Sequence, residues 1–109
     1  VHLDNIVYNI IVGYKPPAYP VRRFLQCLKT HIRQLQNLVI LGDFNQTGKT
    51  VTFDNFLETN DLHQYITTPT HSLGDTLDLI ISSMKNLETI TKPLPYTDHH
   101  LIVVKLDKI

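Results

Sequence analysis

Leu38-Val39-Ile40-Leu41-Gly42-Asp43-Phe44-Asn45 is the stretch from which the fold follows. Its four leading apolar residues read as a buried strand. Gly42 then lets the backbone turn, and two polar side chains, Asp43 and Asn45, arrive where the strand ends. In an extended chain alternate side chains share a face, so carboxylate and carboxamide stand side by side at the carboxyl end of a core strand. Sites in α/β proteins are built in that position. Gly, Asp and Asn are also ordinary turn residues, so the stretch takes its weight from its surroundings.

Upstream, residues 5 to 13, Asn-Ile-Val-Tyr-Asn-Ile-Ile-Val-Gly, are rich in β-branched side chains and read as a second buried strand. Tyr14-Lys15-Pro16-Pro17 ends it in a stiff loop, because two prolines forbid both helix and inner strand. From Pro20 the period turns helical. Val21, Phe24, Leu25, Leu28, Ile32 and Leu35 fall on one stripe and Arg22, Arg23, Lys29 and Arg33 mainly on the other side, predicting an amphipathic helix over 20–36 packed on a sheet. Cys27 lies on or beside the apolar face and reads as core.

Downstream, Asp43 to Lys49 form a loop. Gln46-Thr47-Gly48-Lys49-Thr50 lacks the first glycine and the spacing of a phosphate-binding loop. Thr52 is placed to cap a short helix with Phe53, Phe56 and Leu57 inward and Asn60 as its stop. Short strands follow over Leu62–Ile66, Thr76–Ser82 and, more weakly, Leu87–Ile90. A turn-rich loop over 67–75 and a proline-punctuated one around Pro93 and Pro95 separate them. Leu101-Ile102-Val103-Val104 closes the series as a buried strand. The expected fold is α/β, one domain over residues 1–109 with a mixed β-sheet and flanking helices.

The 109 residues suffice for one modest domain, and 42% hydrophobic with 18% charged is ordinary globular composition. One cysteine excludes an internal disulfide. No apolar run reaches the length of a membrane span, so no membrane partner is expected, and no signal peptide is visible. The sequence starts at Val1 rather than Met, which reads as a fragment, a processed product or an open-ended frame. Net charge is zero but uneven: residues 1–36 carry five Lys and Arg against one Asp, and residues 37–109 five Lys against nine acids.

Asp78 sits among apolar neighbours in Thr-Leu-Asp-Leu-Ile-Ile, and a carboxylate half inside a core needs a partner. His99, at the start of another core strand, would serve, and an Asp–His pair fixes the ring's tautomer and orientation. Backbone or hydroxyl groups would satisfy Asp78 equally well. Asp98 adds a second carboxylate able to hold a metal or orient water. A zinc site on His71, His99 and His100 lacks metal-spacing motifs, and tandem histidines in a strand point to opposite faces.

Four signatures stand in order from residue 12 to 100: Val12-Gly13-Tyr14-Lys15-Pro16-Pro17, Leu41-Gly42-Asp43-Phe44-Asn45, the run Pro69-Thr70-His71-Ser72-Leu73-Gly74-Asp75-Thr76-Leu77-Asp78-Leu79-Ile80, and Thr97-Asp98-His99-His100. In them the chain resembles the endonuclease/exonuclease/phosphatase superfamily, most of all the apurinic-type endonuclease domain of non-LTR (LINE-like) retrotransposons. Thr97 stands where serine is usual. The resemblance spans nearly all of this chain but only the second part of the family's domain. The first part supplies a metal-binding Glu and a substrate-contacting Asn, and Glu58 and Glu88 sit in no matching motif.

The resemblance implies the second half of a four-layer sandwich and a metal-dependent endonuclease that nicks DNA, with Mg²⁺ (or Mn²⁺) as cofactor. By it Asp43 orients or deprotonates the attacking water, and Asn45 holds a phosphate oxygen or Asp43 itself. His99, held by Asp78, binds the scissile phosphate. Asp98 contributes to the metal region with Asp43. Tyr14 touches the phosphate or aids the leaving group, and Thr70 supports the site or contacts DNA. The nicked strand's 3′ hydroxyl would prime reverse transcription, which implies a nuclear location. Without the family's Glu and Asn the isolated chain is expected to be slower by orders of magnitude or inactive. Half a sandwich also leaves an apolar sheet face open, so the chain alone is expected either to self-associate through it or to be poorly stable. The competing readings are a truncated relative serving as a non-catalytic interaction or structural module, and phosphatase or sugar-lipid chemistry within the same superfamily.

Overall fold

A computed structural model describes residues 2–3, 5–33, 35–45, 51–66, 70, 77–85, 87–95 and 97–105. The loop expected over 46–49 and most of the 67–76 stretch, His71 included, lie outside the described residues. The architecture is mixed α/β. A short antiparallel hairpin joins β1 (His2–Leu3) to β2 (Ile6–Val7). The main sheet contains β3 (Asn9–Tyr14), β4 (Leu38–Asp43), β5 (His63–Gln64) and β6 (Asp78–Ser82) in the order β3-β4-β6-β5. β3 runs parallel to β4, whereas β4–β6 and β6–β5 are antiparallel. A separate antiparallel ribbon pairs β7 (Glu88–Lys92) with β8 (Leu101–Lys105). Among the described residues two helices complete the set, α1 (Val21–Ile32) and α2 (Val51–Thr59).

The alternation of β4 sorts the core into two clusters. Leu38 and Ile40 join Leu79 and Ile81 under Leu25, Leu28 and Ile32 of α1 and Phe53 and Phe56 of α2. Val39 and Leu41 join Ile80 on the opposite face, beneath Ile102 and Val104 of the ribbon. Helices, mixed sheet and ribbon thus form three layers. The side-chain hydroxyl of Thr89 donates to the carbonyl of Tyr65, which ties the ribbon to the chain leaving β5, and the Tyr65 hydroxyl donates to the carbonyl of Met84, just past β6. The ribbon stops short of β3. Ile10 and Val12, in register with Val39 and Leu41, are 41% and 75% exposed.

Several elements differ from expectation for identifiable reasons. The strand expected over 5–13 is broken: Asn5 adopts a left-handed φ of 66° in the first hairpin, and the longer strand begins only at Asn9. α1 ends at Ile32, four residues early, where Arg33 turns to ψ 127°, and Leu35 lies outside the stripe. Cys27 is exposed rather than core, because it stands a third of a turn beyond the buried Leu25–Leu28–Ile32 line. Thr52 lies inside α2 instead of capping it. The helix stops as a Schellman turn: Leu62 N–H reaches Leu57 O at 2.8 Å, Asp61 N–H reaches Glu58 O at 3.2 Å, and Asp61 takes φ 53°. β5 shrinks to two residues, and β8 is a half-exposed ribbon strand rather than a buried one, with Leu101 and Val103 facing out.

The start of α1 works against its own dipole. Pro20 offers no side-chain cap, no acid stands in the first turn, and Arg22 and Arg23 do. Positive charge at a helix N-terminus costs about 0.3–1 kcal/mol. Arg22→Glu is therefore expected to raise the melting temperature by a few degrees in thermal denaturation at low salt. An unchanged or lower midpoint would show that the guanidinium contributes more than the dipole takes away.

Candidate active site

Parallel and antiparallel pairing bring one row of residues to the same end of the sheet. Tyr14 closes β3 opposite Asp43, and Asp43 closes β4 opposite Asp78, the first residue of β6. Residues directly opposite each other across a sheet share a face. The row thus points to the ribbon side, where the chain entering β8 delivers His99.

The His99 ring lies between the two carboxylates. Its Nδ1 is 2.7 Å from Asp78 Oδ2, and its Nε2 is 3.7 Å from Asp43 Oδ2. With Nδ1–H donating to Asp78, Nε2 is left to face Asp43 and whatever lies beside it. The hydrogen bond to Asp78 raises the His99 pKa above its ordinary 6.5. Burial works against the shift, and the charges of Asp78, Asp43 and Asp98 reinforce it. A histidine whose folded pKa is raised stabilises the fold fully below its unfolded pKa and loses that contribution as pH rises through the folded value. The Asp78–His99 pair therefore holds best below about pH 6.5 and fades above it. An NMR titration of the His99 ring is expected to show a midpoint above 6.5, falling toward it in Asp78→Asn. A wild-type midpoint at or below 6.5 would contradict the pairing.

Loop chemistry fixes Asp43. Asn45 turns left-handed at φ 47°, so its backbone N–H folds back to Asp43 Oδ1 at 3.1 Å. Its side chain departs from the expected place beside Asp43 and donates instead to Lys15 O at 2.7 Å. Lys15 N–H in turn donates to Asp43 O at 2.9 Å. Lys15 is only 3% exposed, and its ammonium donates to the carbonyls of Pro16 and Tyr19 at 3.1 and 3.2 Å. Sequence reading missed this lysine as a support. The signal was its place before two prolines, whose fixed backbone starts the turn in which the Pro16 and Tyr19 carbonyls meet the ammonium.

Thr70 is fully buried. Its hydroxyl accepts the N–H groups of Leu77 and Asp78, both at 3.0 Å, and its carbonyl accepts His100 N–H at 2.6 Å. It thereby ties the start of β6, carrying Asp78, to the approach of β8, carrying His99, and presents no open surface to a substrate. Tyr14 is 62% exposed at the rim of the row. Asp98 is exposed and acts on His99 through its charge. Among the described residues the side chains that bring ligand atoms together are Asp43, Asp78 and His99, within 4.8 Å of one another; Asp98 is not in that group. A cleft of about 310 Å³ opens over them, walled by Leu41, Leu94 and Thr97. Two carboxylates and an imidazole form a donor set that fits a divalent cation keeping several waters.

Compared with protein-family models, curated proteins and solved structures, the chain matches none.

Proposed function

We propose that the chain carries the nucleophile and phosphate-binding part of a metal-dependent DNA endonuclease of the endonuclease/exonuclease/phosphatase kind, akin to the LINE-like retrotransposon enzymes. The observation that supports this reading is the His99 ring set between Asp78 at 2.7 Å and Asp43 at 3.7 Å at the mouth of a cleft. Asp43, oriented by the Asn45 backbone, is placed to hold and deprotonate a water. His99, fixed by Asp78, presents Nε2 to a phosphodiester oxygen. Tyr14, on the same row, offers a hydroxyl at the rim. Asp43 and Asp78 are the residues that would hold Mg²⁺ or Mn²⁺, with Asp98 adding negative field. Such an ion supplies charge neutralisation at the phosphate.

The test has two arms. Supercoiled plasmid is expected to be nicked slowly with Mg²⁺ and not with EDTA, and Mn²⁺ binding followed by its EPR signal is expected to disappear in Asp43→Asn. No nicking above background together with no Mn²⁺ binding would overturn the reading. A second reading, a non-catalytic module that self-associates, is favoured by the exposure of Ile10 and Val12 on β3. It predicts a dimer by sedimentation with neither nicking nor metal binding.

A further inference from the structure

A second surface, on the helical layer away from the cleft, has a chemistry of its own. α1 contains no acid, and Arg22, Gln26, Lys29 and Arg33 recur at the spacing of one helical stripe. All four are exposed. Among the described residues none of Arg22, Lys29 and Arg33 has a carboxylate within ion-pair distance. Arg22, Gln26 and Lys29 form one wall of a groove of about 220 Å³ between α1 and α2. The other wall is Thr52, Asn55, Thr59 and Asn60, hydroxyls and amides, and the apolar Leu25 and Phe56 form the base. The acids of α2, Asp54 and Glu58, fall on a different stripe from the groove-lining Thr52, Asn55 and Thr59 and line no part of it, and Asp61 stands just past its end. Cations along one side facing neutral donors along the other suit a row of phosphates. The axes of packed helices are about 8–10 Å apart, so a groove between them admits one strand's backbone rather than a duplex.

We infer that the α1/α2 groove binds the sugar–phosphate backbone of a single nucleic-acid strand, without base preference. Arg22 and Lys29 meet phosphates inside the groove, and Arg33 extends the track past its end. The inference does not rest on the catalytic reading, because the groove shares no residue with the Asp43–His99–Asp78 cluster. The charged groups of the lining, Arg22 and Lys29, suit phosphates, which carry no sequence information, and among the described residues the lining offers no exposed aromatic ring to stack a base, so contact is with the backbone.

Fluorescence anisotropy with a labelled oligothymidylate of roughly 20 nucleotides, longer than such a groove covers, tests it. The titration is run in EDTA, so that no metal-dependent event contributes. The triple variant Arg22→Gln/Lys29→Gln/Arg33→Gln is expected to bind at least tenfold more weakly at low salt. The slope of log affinity against log salt should fall by about 2, since each single-strand phosphate contact contributes roughly 0.7. Arg22→Lys/Arg33→Lys, which keeps the charge, is expected to retain binding, and circular dichroism of the triple variant to match wild type. Wild-type affinity and slope in a folded triple variant would overturn the inference. So would binding of phosphatidylserine vesicles without binding of the oligonucleotide.

Discussion

Replacing Gly42 by alanine is expected to cost the folded state about 3–6 kcal/mol, from combined overpacking and backbone strain. A Cβ at this position would stand 1.8 Å from the carbonyl oxygen of Gly13 and 2.8 Å from its carbonyl carbon. Both are backbone atoms of the paired strand, so no side chain can swing aside. The φ of 152° adds strain that only glycine avoids. A small domain holds roughly 5–15 kcal/mol in total, so a large part of it is lost. The damage also falls one residue before Asp43, so any molecules that stay folded should lose the Tyr14–Asp43–Asp78 row. Gly13 is the built-in control. A Cβ there meets Phe44 at 3.5 Å and Phe24 at 3.8 Å, which is ordinary contact. Gly13→Ala is expected to be neutral or to stabilise by up to about 1 kcal/mol. Urea denaturation of the two variants, which face each other across β3 and β4, separates the outcomes; equal midpoints would refute the steric argument.

The second large effect concerns chemistry. On the proposed nuclease reading, Asp43→Ala and His99→Ala are each expected to lower Mg²⁺-dependent plasmid nicking by about 10²–10⁴-fold, the range for a lost general base or a lost phosphate-stabilising donor. On that reading the two side chains serve one bond-breaking event, so the double variant should be little worse than either single one. Additive losses would mean that the two residues act in separate steps, and unchanged nicking in either variant would place the chemistry elsewhere. Neither substitution should unfold the chain, since both side chains are only partly buried.

The parts of this fold that were legible in the sequence are the local ones. The apolar run Leu38–Leu41 and the Val21–Ile32 stripe carry their period openly. So does Asp78, whose apolar neighbours demand a partner that His99 provides at 2.7 Å. What escaped depends on backbone state or on distant chain. Asn5 and Asn45 are left-handed, which breaks one expected strand and turns the Asn45 amide away from Asp43. Nothing in the spacing of Cys27 told that the buried face of α1 is narrow enough to leave it outside. Thr70 became a clamp only because two segments far apart in sequence meet at it. The alternation of Leu101 to Val104 was hidden because every residue there is apolar, although only Ile102 and Val104 face the sheet.

The register of β4 has a consequence for the time course of folding. This strand is flanked by a parallel partner from earlier in the chain and an antiparallel one from later: Tyr14 meets Asp43 across 29 residues, and Asp43 meets Asp78 across 35. Pairings of such sequence separation must close long loops before they are rewarded, and chains dominated by them fold in roughly milliseconds to seconds rather than microseconds. The helices can form early, but the row of Tyr14, Asp43 and Asp78 exists only once both crossings are made. Nascent or refolding chains therefore acquire helical signal before they acquire the cleft, and the closing of the Asp78–His99 hydrogen bond marks the moment at which the topology is complete.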